Sequence, residues 1–195
     1  MKILVVGGGG REHAIIKKVK QNPDVTEIFA LPGNAGMKGD AVCVPIGAKD
    51  IAGICDFAVK NGIDYAIVAP DDPLVLGAVD ALEEKGIPCF GPRANAAVIE
   101  GSKAFSKNLM KKYGIPTARY EVFTEMEDAL HYLETAPIPA VIKADGLALG
   151  KGVIIAQTRD AAFQAVREMM EDRKFGASGD RTPKRIRLSP RAHRL

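Results

Sequence analysis

The sequence predicts an α/β protein in which a doubly wound parallel sheet is followed by a smaller α+β module. Short runs rich in Val, Ile, Phe and Cys are typical of buried strands, and helical spacing of apolar residues lies between several of them. From Gly101 onwards the pattern changes, which indicates a second folding unit. We place the first domain at residues 1–101 and the second at residues 102–179, with residues 114–116 as the alternative boundary.

The first domain is predicted to alternate strands with helices. A helix begins at Ile51, because apolar residues recur there at i, i+3, i+4 and i+7, and Asp50 is its expected N-cap. A second helix is predicted after Pro73, with Asp72 as a candidate cap. Such alternation is typical of a parallel sheet with helices on both faces. The predicted strands are KILVV, EIFAL, AVCVPI, YAIVAP and CFGP.

The second module is predicted to begin with a helix that Ser102 caps and that ends at Gly114. In the segments that follow, apolar residues recur at helical spacing in some places and at strand spacing in others, which favours a small α+β unit. In order they are a strand (ARYEVF), a helix over 125–134, a strand (AVIKAD), a glycine-rich loop, a strand (VIIA) and a helix over 160–172.

Charge is concentrated at one end of the chain. The net charge is +3, but residues 180–195 hold six of the 27 Lys and Arg residues and one of the 24 acidic residues, so the rest of the chain carries −2. The composition therefore gives no indication of nucleic-acid binding by the folded part. We expect residues 180–195 to be a disordered basic tail, and because it has no aromatic residue, any nucleic-acid binding there would be weak and salt-sensitive.

The sequence shows no sign of membrane insertion or of secretion. No apolar run approaches the ~20 residues of a membrane helix, and the N-terminus enters a strand-like run without the features of a signal peptide. The cysteines are Cys43, Cys55 and Cys89, and they form no C-x-x-C pair, so neither a zinc site nor a disulfide framework is indicated. We expect a cytoplasmic protein.

Four glycines, Gly7 to Gly10, lie between the first strand and a helix from Arg11. Backbone N–H groups at such a turn can bind an anion, and glycine lets a phosphate approach closely. The sequence does not match the dinucleotide-binding fingerprint G-x-G-x-x-G, because the position of its last glycine is occupied by Glu12 or His13. A phosphate-like ligand is therefore favoured over a nicotinamide cofactor, and a glycine turn without a ligand remains the alternative.

Two further loops follow predicted strands at the same edge of the sheet. PGNAG (32–36) follows the second strand and APDDPL (69–74) the fourth, and parallel sheets bind ligands at their carboxyl edge. Asp71 and Asp72 could hold a ribose hydroxyl or an amine, or could cap the next helix. Arg11 could pair with a phosphate, whereas Glu12 and His13 are either ligand contacts or ordinary exposed residues of a first helical turn.

A second glycine-rich loop, KADGLALGKG (143–152), differs from the P-loop of nucleotide hydrolases. Three residues separate Gly146 from Gly150 where that motif needs four, and Gly152 stands at the position of its Ser or Thr. Lys143, Lys151 and the upstream Lys103 could surround one nucleotide as point charges. The alternative for Lys103 and Lys151 is a solvated surface lysine, whereas Lys143 lies in an apolar strand and needs a partner.

Taken together, these motifs resemble phosphoribosylamine–glycine ligase, the ATP-grasp enzyme family of purine synthesis that makes glycinamide ribonucleotide. The resemblance covers Met1 to about Gly179. The motifs that carry it, in order, are VVGGGGREH, LPGNAG, PDDPLV, FGP, EGSKAFSKNLMKKYGIPTA and VIKADGLALGKGV.

The resemblance implies a Rossmann-like first domain, a partial ATP-grasp second domain, and ATP-dependent ligation of glycine to 5-phosphoribosylamine through a glycyl phosphate. The glycine-rich loop would be a hairpin lid over the ATP phosphates. The implied substrate-binding residues are Gly8, Gly9, Gly10, Arg11, Glu12, His13, Pro32, Gly33, Asn34, Asp71 and Asp72. The implied nucleotide-binding residues are Lys103, Lys143, Gly146, Gly150, Lys151 and Gly152.

The sequence departs from the family at three places. Ala69-Pro70-Asp71 stands where the family has Gly-Pro-Glu, and Leu149 where it commonly has Ala. TPKRIRLSPRAHRL replaces a long continuation that would complete the adenine pocket and supply the ligands of a Mg or Mn ion. We therefore expect a truncated chain, with a shifted reading frame after about residue 181 and no activity by itself; a genuine basic tail is the alternative.

The resemblance assigns no catalytic residue on this chain and no metal ligand. It implies small-molecule partners (glycine, 5-phosphoribosylamine and ATP). We further expect a monomer that binds no membrane and no specific nucleic acid. The alternative functions are another ATP-grasp ligase or carboxylase, and a non-catalytic fragment that binds a phosphosugar or a nucleotide.

Overall fold

The computed structural model of the chain describes residues 1–145, 153–170 and 186–190. The chain divides into two compact units, Met1–Val98 and Ile99–Leu195, which we call unit 1 and unit 2. Unit 1 thus ends three residues before the end of the predicted first domain at 101.

Unit 1 contains a five-stranded parallel sheet, as predicted. The strand order is β3-β2-β1-β4-β5 and every neighbouring pair is parallel. The strands are β1 (Lys2–Gly7), β2 (Glu27–Pro32), β3 (Val42–Cys43), β4 (Tyr65–Val68) and β5 (Cys89–Phe90). The helices are α1 (Gly10–Val19), α2 (Ile51–Asn61), α3 (Asp71–Val75), α4 (Ala78–Glu84) and α5 (Ala94–Gly101), of which α5 runs across the unit boundary.

Both faces of this sheet are buried, which explains why its strands read as continuous apolar runs. Leu4 and Val6 of β1 pack into a core that includes residues of α2 and α4. Ile3 and Val5 of the same strand pack on the opposite face with Ile16 of α1. The doubly wound arrangement is therefore confirmed. The Asp50 cap is also confirmed, since its side chain accepts a hydrogen bond of 2.9 Å from the Gly53 N–H.

The single helix predicted after Pro73 is wrong, because the structure has two short helices there. Gly77 separates α3 from α4 and has φ +85°, which interrupts a right-handed helix. The expected cap at Asp72 is also wrong: α3 begins at Asp71 and its N-cap is Pro70. Pro73 is tolerated because the N–H groups of a first turn have no intrahelical acceptor. The apolar spacing continues across the break since both helices bury residues in the same core.

Unit 2 contains a four-stranded antiparallel sheet in the order β6-β9-β7-β8. Two helices cover one face of it and form its core with residues such as Leu133 and Val166. The predicted Ser102 cap is confirmed by a bond of 3.1 Å from the Phe105 N–H to Ser102 Oγ. The elements are α6 (Lys103–Lys112), β6 (Glu121–Phe123), α7 (Met126–Thr135), β7 (Ala140–Ala144), β8 (Val153–Ala156), α8 (Arg159–Met170) and β9 (Ile186–Pro190).

The prediction that residues 180–195 are a disordered tail is wrong for residues 186–190. These form β9, which lies between β6 and β7 and pairs with both: Leu188 faces Glu121 on one side and Ile142 on the other. Ile186 and Leu188 are each 1% exposed and belong to the core of unit 2. The physical reason is their alternate spacing, which directs both side chains to the same face of a strand.

Candidate functional site

The loops that follow β1, β2 and β4 lie at one edge of the parallel sheet. Gly7 at the end of β1 is in register with Pro32 at the end of β2, and Val6 is in register with Val68 at the end of β4. The residues that follow are 7–10, 32–36 and 69–72, and we call these three loops the carboxyl-edge site. The structure therefore brings together the segments in which substrate-binding residues were predicted.

The first two loops contact each other through their backbones. The Gly33 N–H donates to the Gly7 carbonyl oxygen at 3.1 Å, and Asn34 Nδ2 donates to the Gly8 carbonyl oxygen at 2.8 Å. A Cβ atom added at Gly8 would lie 2.5 Å from the carbonyl oxygen of Gly33. Glycine is therefore required at position 8 by close packing between the loops.

The third loop packs against the same turn through Gly7, which has φ +124°. A Cβ atom there would lie 2.7 Å from Cγ of Glu12 and 2.8 Å from Cγ of Pro70. The backbone of the glycine-rich turn therefore packs tightly between the Glu12 side chain on α1 and Pro70 in the loop after β4. The carboxyl-edge site is consequently a packed arrangement of three loops.

Glu12 is buried beneath this turn, so its interpretation as an ordinary exposed residue is wrong. Its side chain is 4% exposed, and Oε2 accepts a hydrogen bond of 2.6 Å from the Gly9 N–H. Oε1 is buried and has no hydrogen-bond partner among the described residues; the nearest cationic atom is Arg11 Nε at 3.9 Å. Glu12 therefore uses one of the N–H groups expected to meet a ligand and fixes the shape of the turn.

Two N–H groups at the start of α1 remain suited to an anion. Gly10 and Arg11 are the first two residues of the helix, where backbone N–H groups have no intrahelical acceptor. A Cβ atom at Gly10 would meet nothing within 4 Å, so the backbone there is open to approach. The Arg11 side chain is 71% exposed. Gly10 and Arg11 thus form the part of the turn that best fits a phosphate.

His13 lies against the second loop rather than in open solvent. Its Nε2–H donates to Asp40 Oδ2 at 3.0 Å, while Lys20 Nζ lies 3.2 Å from Asp40 Oδ1. These hydrogen bonds, that of His13 foremost, lower the pKa of the Asp40 carboxyl group below its ordinary value near 3.8. His13 therefore ties α1 to the segment after β2.

We expect Asp40→Asn to lower the free energy of unfolding at neutral pH. A carboxyl group whose pKa is lowered by folding stabilises the fold above its unfolded pKa and loses that effect as pH falls through the folded pKa. The difference between wild type and variant should therefore be full at pH 6–7 and shrink below about pH 4. Urea unfolding at a series of pH values measures it. Asp56→Asn, at an exposed position on α2, is the control, and an equal difference at pH 3 and pH 7 would contradict the linkage.

The two carboxylates of the third loop have different surroundings. Asp72 Oδ2 lies 2.6 Å from Nζ of Lys49, so this carboxylate is already paired. The side chain of Asp71, the first residue of α3, makes no hydrogen bond or ion pair with another described residue. The Asp71 carboxylate is therefore not engaged by another described residue of the carboxyl-edge site.

In unit 2, the lysines predicted to bind the nucleotide lie on α6 and β7, and a hydrogen bond joins α6 to the residue that directly follows β7. Lys143 belongs to β7, in which Ala140, Ile142 and Ala144 are buried and the alternate residues Val141 and Lys143 are half-buried. Lys103 is the first residue of α6, and neither lysine is without a partner. Gly146, Gly150, Lys151 and Gly152 lie outside the described residues.

Asp145 joins the two elements that carry these lysines, and sequence reasoning missed it. Its Oδ1 accepts from the Ala104 N–H at 3.0 Å and its Oδ2 accepts from Ser102 Oγ at 3.1 Å. The only signal in the sequence was an acidic residue directly before Gly146 in the glycine-rich loop. A separation of about forty residues along the chain hid the contact.

An open pocket of about 530 Å³ lies at the ends of β4 and β5, and sequence reasoning also missed it. Burial raises the pKa of the Cys89 thiol to about 11, so Cys89 is protonated at neutral pH and is a poor nucleophile. Phe90 is 64% exposed. The lining residues are Val68, Ala69, Leu74, Cys89, Phe90, Gly91 and Pro92.

The described residues do not fit a metal ion. In residues 1–145, 153–170 and 186–190 no three His, Cys, Asp or Glu side chains come together in a way that could hold one.

Two family profiles match consecutive parts of the sequence. Residues 1–100 match "Phosphoribosylglycinamide synthetase, N domain", and residues 101–182 match "Phosphoribosylglycinamide synthetase, ATP-grasp (A) domain". The chain belongs to the phosphoribosylglycinamide synthetase family. The family resemblance drawn from the sequence motifs is thereby confirmed.

Curated relatives of this synthetase-family chain are named phosphoribosylamine–glycine ligase. The Allochromatium vinosum protein is 52% identical over 183 residues, which cover 93% of this chain and 43% of the relative. The protein of Listeria monocytogenes serotype 4b is 52% identical over 177 residues, covering 90% of this chain and 42% of the relative. The chain thus spans less than half the length of the relatives that it matches.

Solved structures share the fold of the synthetase-family chain. The phosphoribosylamine–glycine ligase of Thermotoga maritima matches with a TM-score of 0.77 and 28% identity, covering 97% of this chain and 44% of that one. The biotin carboxylase domain of the Hydrogenobacter thermophilus 2-oxoglutarate carboxylase matches with a TM-score of 0.74, covering 97% of this chain and 44% of that one. At 19% identity the carboxylase match shows the fold alone.

Proposed function

We propose that the protein acts in the ligation of glycine to 5-phosphoribosylamine, which consumes ATP and gives glycinamide ribonucleotide, ADP and phosphate. The observation that carries this proposal is the carboxyl-edge site, because it lies within the segment that matches the family's N domain. In this proposal glycine is activated as glycyl phosphate and the sugar amine then attacks the acyl carbon, which releases phosphate.

The chemical groups of the carboxyl-edge site match the two ends of a phosphorylated sugar amine. The N–H groups of Gly10 and Arg11 and the exposed Arg11 guanidinium suit the phosphate, since Arg forms paired hydrogen bonds with phosphate oxygens. Asp71 suits the ribose hydroxyls or the amine, because an ionised carboxylate only accepts hydrogen bonds. Gly33 and Asn34 then act by holding the first two loops in contact. Glu12 fixes the shape of the first turn, and His13 ties α1 to Asp40.

Unit 2 would contribute part of the nucleotide site. Lys103 and Lys143 lie at the joined ends of α6 and β7 and would act as point charges on the ATP phosphates. By sequence, Gly146, Gly150, Lys151 and Gly152 complete the proposed set. Magnesium or manganese is proposed for the whole enzyme only, since the described residues supply no cluster of ligands for it.

The proposed setting is the cytoplasm, with small-molecule partners and a monomeric chain. All three cysteines are free thiols, which is typical of a reducing compartment. Within the described residues, the helices are too short or too polar to cross a membrane.

Calorimetric titration with ribose 5-phosphate, a stable relative of the proposed substrate, tests the function of unit 1. We expect saturable binding by the wild-type chain and about tenfold weaker binding by Arg11→Ala, because a charged contact to the phosphate is lost. Arg93→Ala is the matched control: Arg93 is an exposed arginine of the same unit that pairs with Glu83. Absence of heat from the wild type at millimolar ligand would overturn the proposed function of the carboxyl-edge site.

A further inference from the structure

We propose that Asp145 is a positioning residue of the nucleotide site, which holds Lys103 and Lys143 at a fixed separation. The inference rests on the proposed function, since it takes these two lysines as the contacts to the ATP phosphates. We call the connection between Asp145 and the start of α6 the Asp145 link.

The Asp145 link provides hydrogen-bond acceptors to the first turn of α6 from outside the helix. One carboxylate oxygen accepts the Ala104 N–H at 3.0 Å, and the other accepts the Ser102 hydroxyl at 3.1 Å. Ser102 Oγ in turn accepts the Phe105 N–H at 3.1 Å. The first N–H groups of a helix lack intrahelical acceptors and favour a negative charge nearby. A single side chain thus anchors the beginning of α6.

The same side chain belongs to the residue that directly follows β7, two positions after Lys143. Ile142 and Ala144 are buried in the core of unit 2, at 0% and 3% exposure. Side chains alternate along a strand, so Lys143 lies on the other face of β7, and Asp145 follows directly after the end of that strand. The start of α6 is bound at that place, because Asp145 holds the residues on both sides of Lys103.

Both carboxylate oxygens of Asp145 are engaged by α6, and a negative charge would repel phosphates. Asp145 is therefore assigned no contact with the nucleotide and acts through the lysines that it positions. Two point charges bind neighbouring phosphate oxygens well only when their spacing is fixed in advance. Loss of the Asp145 link should therefore lower the affinity for the nucleotide while unit 2 stays folded.

The test compares MgADP binding by calorimetry in the wild-type chain and three variants. Asp145→Ala removes both hydrogen bonds, and we expect its affinity to fall about tenfold or more. Asp145→Asn keeps an acceptor for the Ala104 N–H, so its affinity should recover to within about threefold of wild type. Thr158→Ala is the matched control, because Thr158 Oγ1 accepts the Ala161 N–H at 3.2 Å in the same way at the start of α8. Its affinity should be unchanged.

Amide hydrogen exchange tests the Asp145 link separately from nucleotide binding. We expect faster exchange at Ala104 and Phe105 in Asp145→Ala and at Ala161 in Thr158→Ala. Unchanged exchange at Ala104, or equal loss of MgADP affinity in both alanine variants, would overturn the inference. A wild-type chain that binds no MgADP would overturn the nucleotide part of the proposed function and with it the positioning role, while exchange would still show whether the link exists.

Discussion

Leu188→Asp is expected to unfold unit 2 and to leave unit 1 folded. Leu188 is 1% exposed, and β9 pairs on both sides, so the new carboxylate would lie in the centre of the sheet. The change removes about 2–3 kcal/mol of apolar burial, and an unpaired buried charge costs several kcal/mol more. Together these approach or exceed the stability of an ordinary small domain, about 5–15 kcal/mol. Unit 1 should persist because its two cores contain residues 3–97 only.

Limited proteolysis followed by mass spectrometry measures the effect of Leu188→Asp. We expect rapid cleavage within residues 99–170 and survival of a fragment that contains residues 1–98. Ile155→Asp is the control, because Ile155 lies on the edge strand β8 of the same sheet and is 50% exposed. Wild-type resistance of the Leu188→Asp variant would show that residues 186–190 are not part of the core of unit 2.

Gly8→Val is expected to abolish ribose 5-phosphate binding and to destabilise unit 1. Its Cβ atom would begin 2.5 Å from the Gly33 carbonyl oxygen, and a backbone atom cannot move aside as a flexible side chain can. The loops after β1 and β2 must separate, which breaks the bonds that Gly7 and Gly8 accept from Gly33 and Asn34. Overpacking of this kind costs about 1–3 kcal/mol.

Thermal unfolding and calorimetric titration together measure the Gly8→Val variant. Gly47→Ala is the control, because a Cβ atom at Gly47 would meet nothing within 4 Å and the position lies outside the carboxyl-edge site. The control should melt and bind as the wild type does. Wild-type affinity in Gly8→Val would mean that the ligand does not depend on the contact between these loops.

The parallel sheet of unit 1 was predictable because its signals are local. Each strand is a short apolar run, and α2 shows its apolar spacing and its Asp50 cap within a few residues. The break at Gly77 was not predictable because α3 and α4 bury residues in one core, so the apolar spacing continues across it. A glycine can also occur within a helix, so Gly77 by itself did not indicate the break. The closeness of the three loops could be predicted from the parallel topology alone, because the loops that follow parallel strands lie at one edge of the sheet.

Features that depend on distant contacts were not predictable. β9 has only Ile186 and Leu188 as apolar positions among Arg and Pro residues, and its strand conformation depends on partners on both sides. The sequence could not show that Glu12 would be buried, since a first-turn glutamate is ordinarily exposed. Asp145 and Ser102 are 43 residues apart, and nothing local indicates that they meet.

The carboxyl-edge site is tested most directly by mapping amide chemical shifts of the chain during titration with ribose 5-phosphate. We predict saturable shifts that are largest at Gly8, Gly9, Gly10 and Arg11, with smaller shifts at Gly33, Asn34 and Asp71. Shifts that saturate elsewhere in the chain, with these residues unmoved, would contradict the assignment of the sugar phosphate to the loops after β1, β2 and β4.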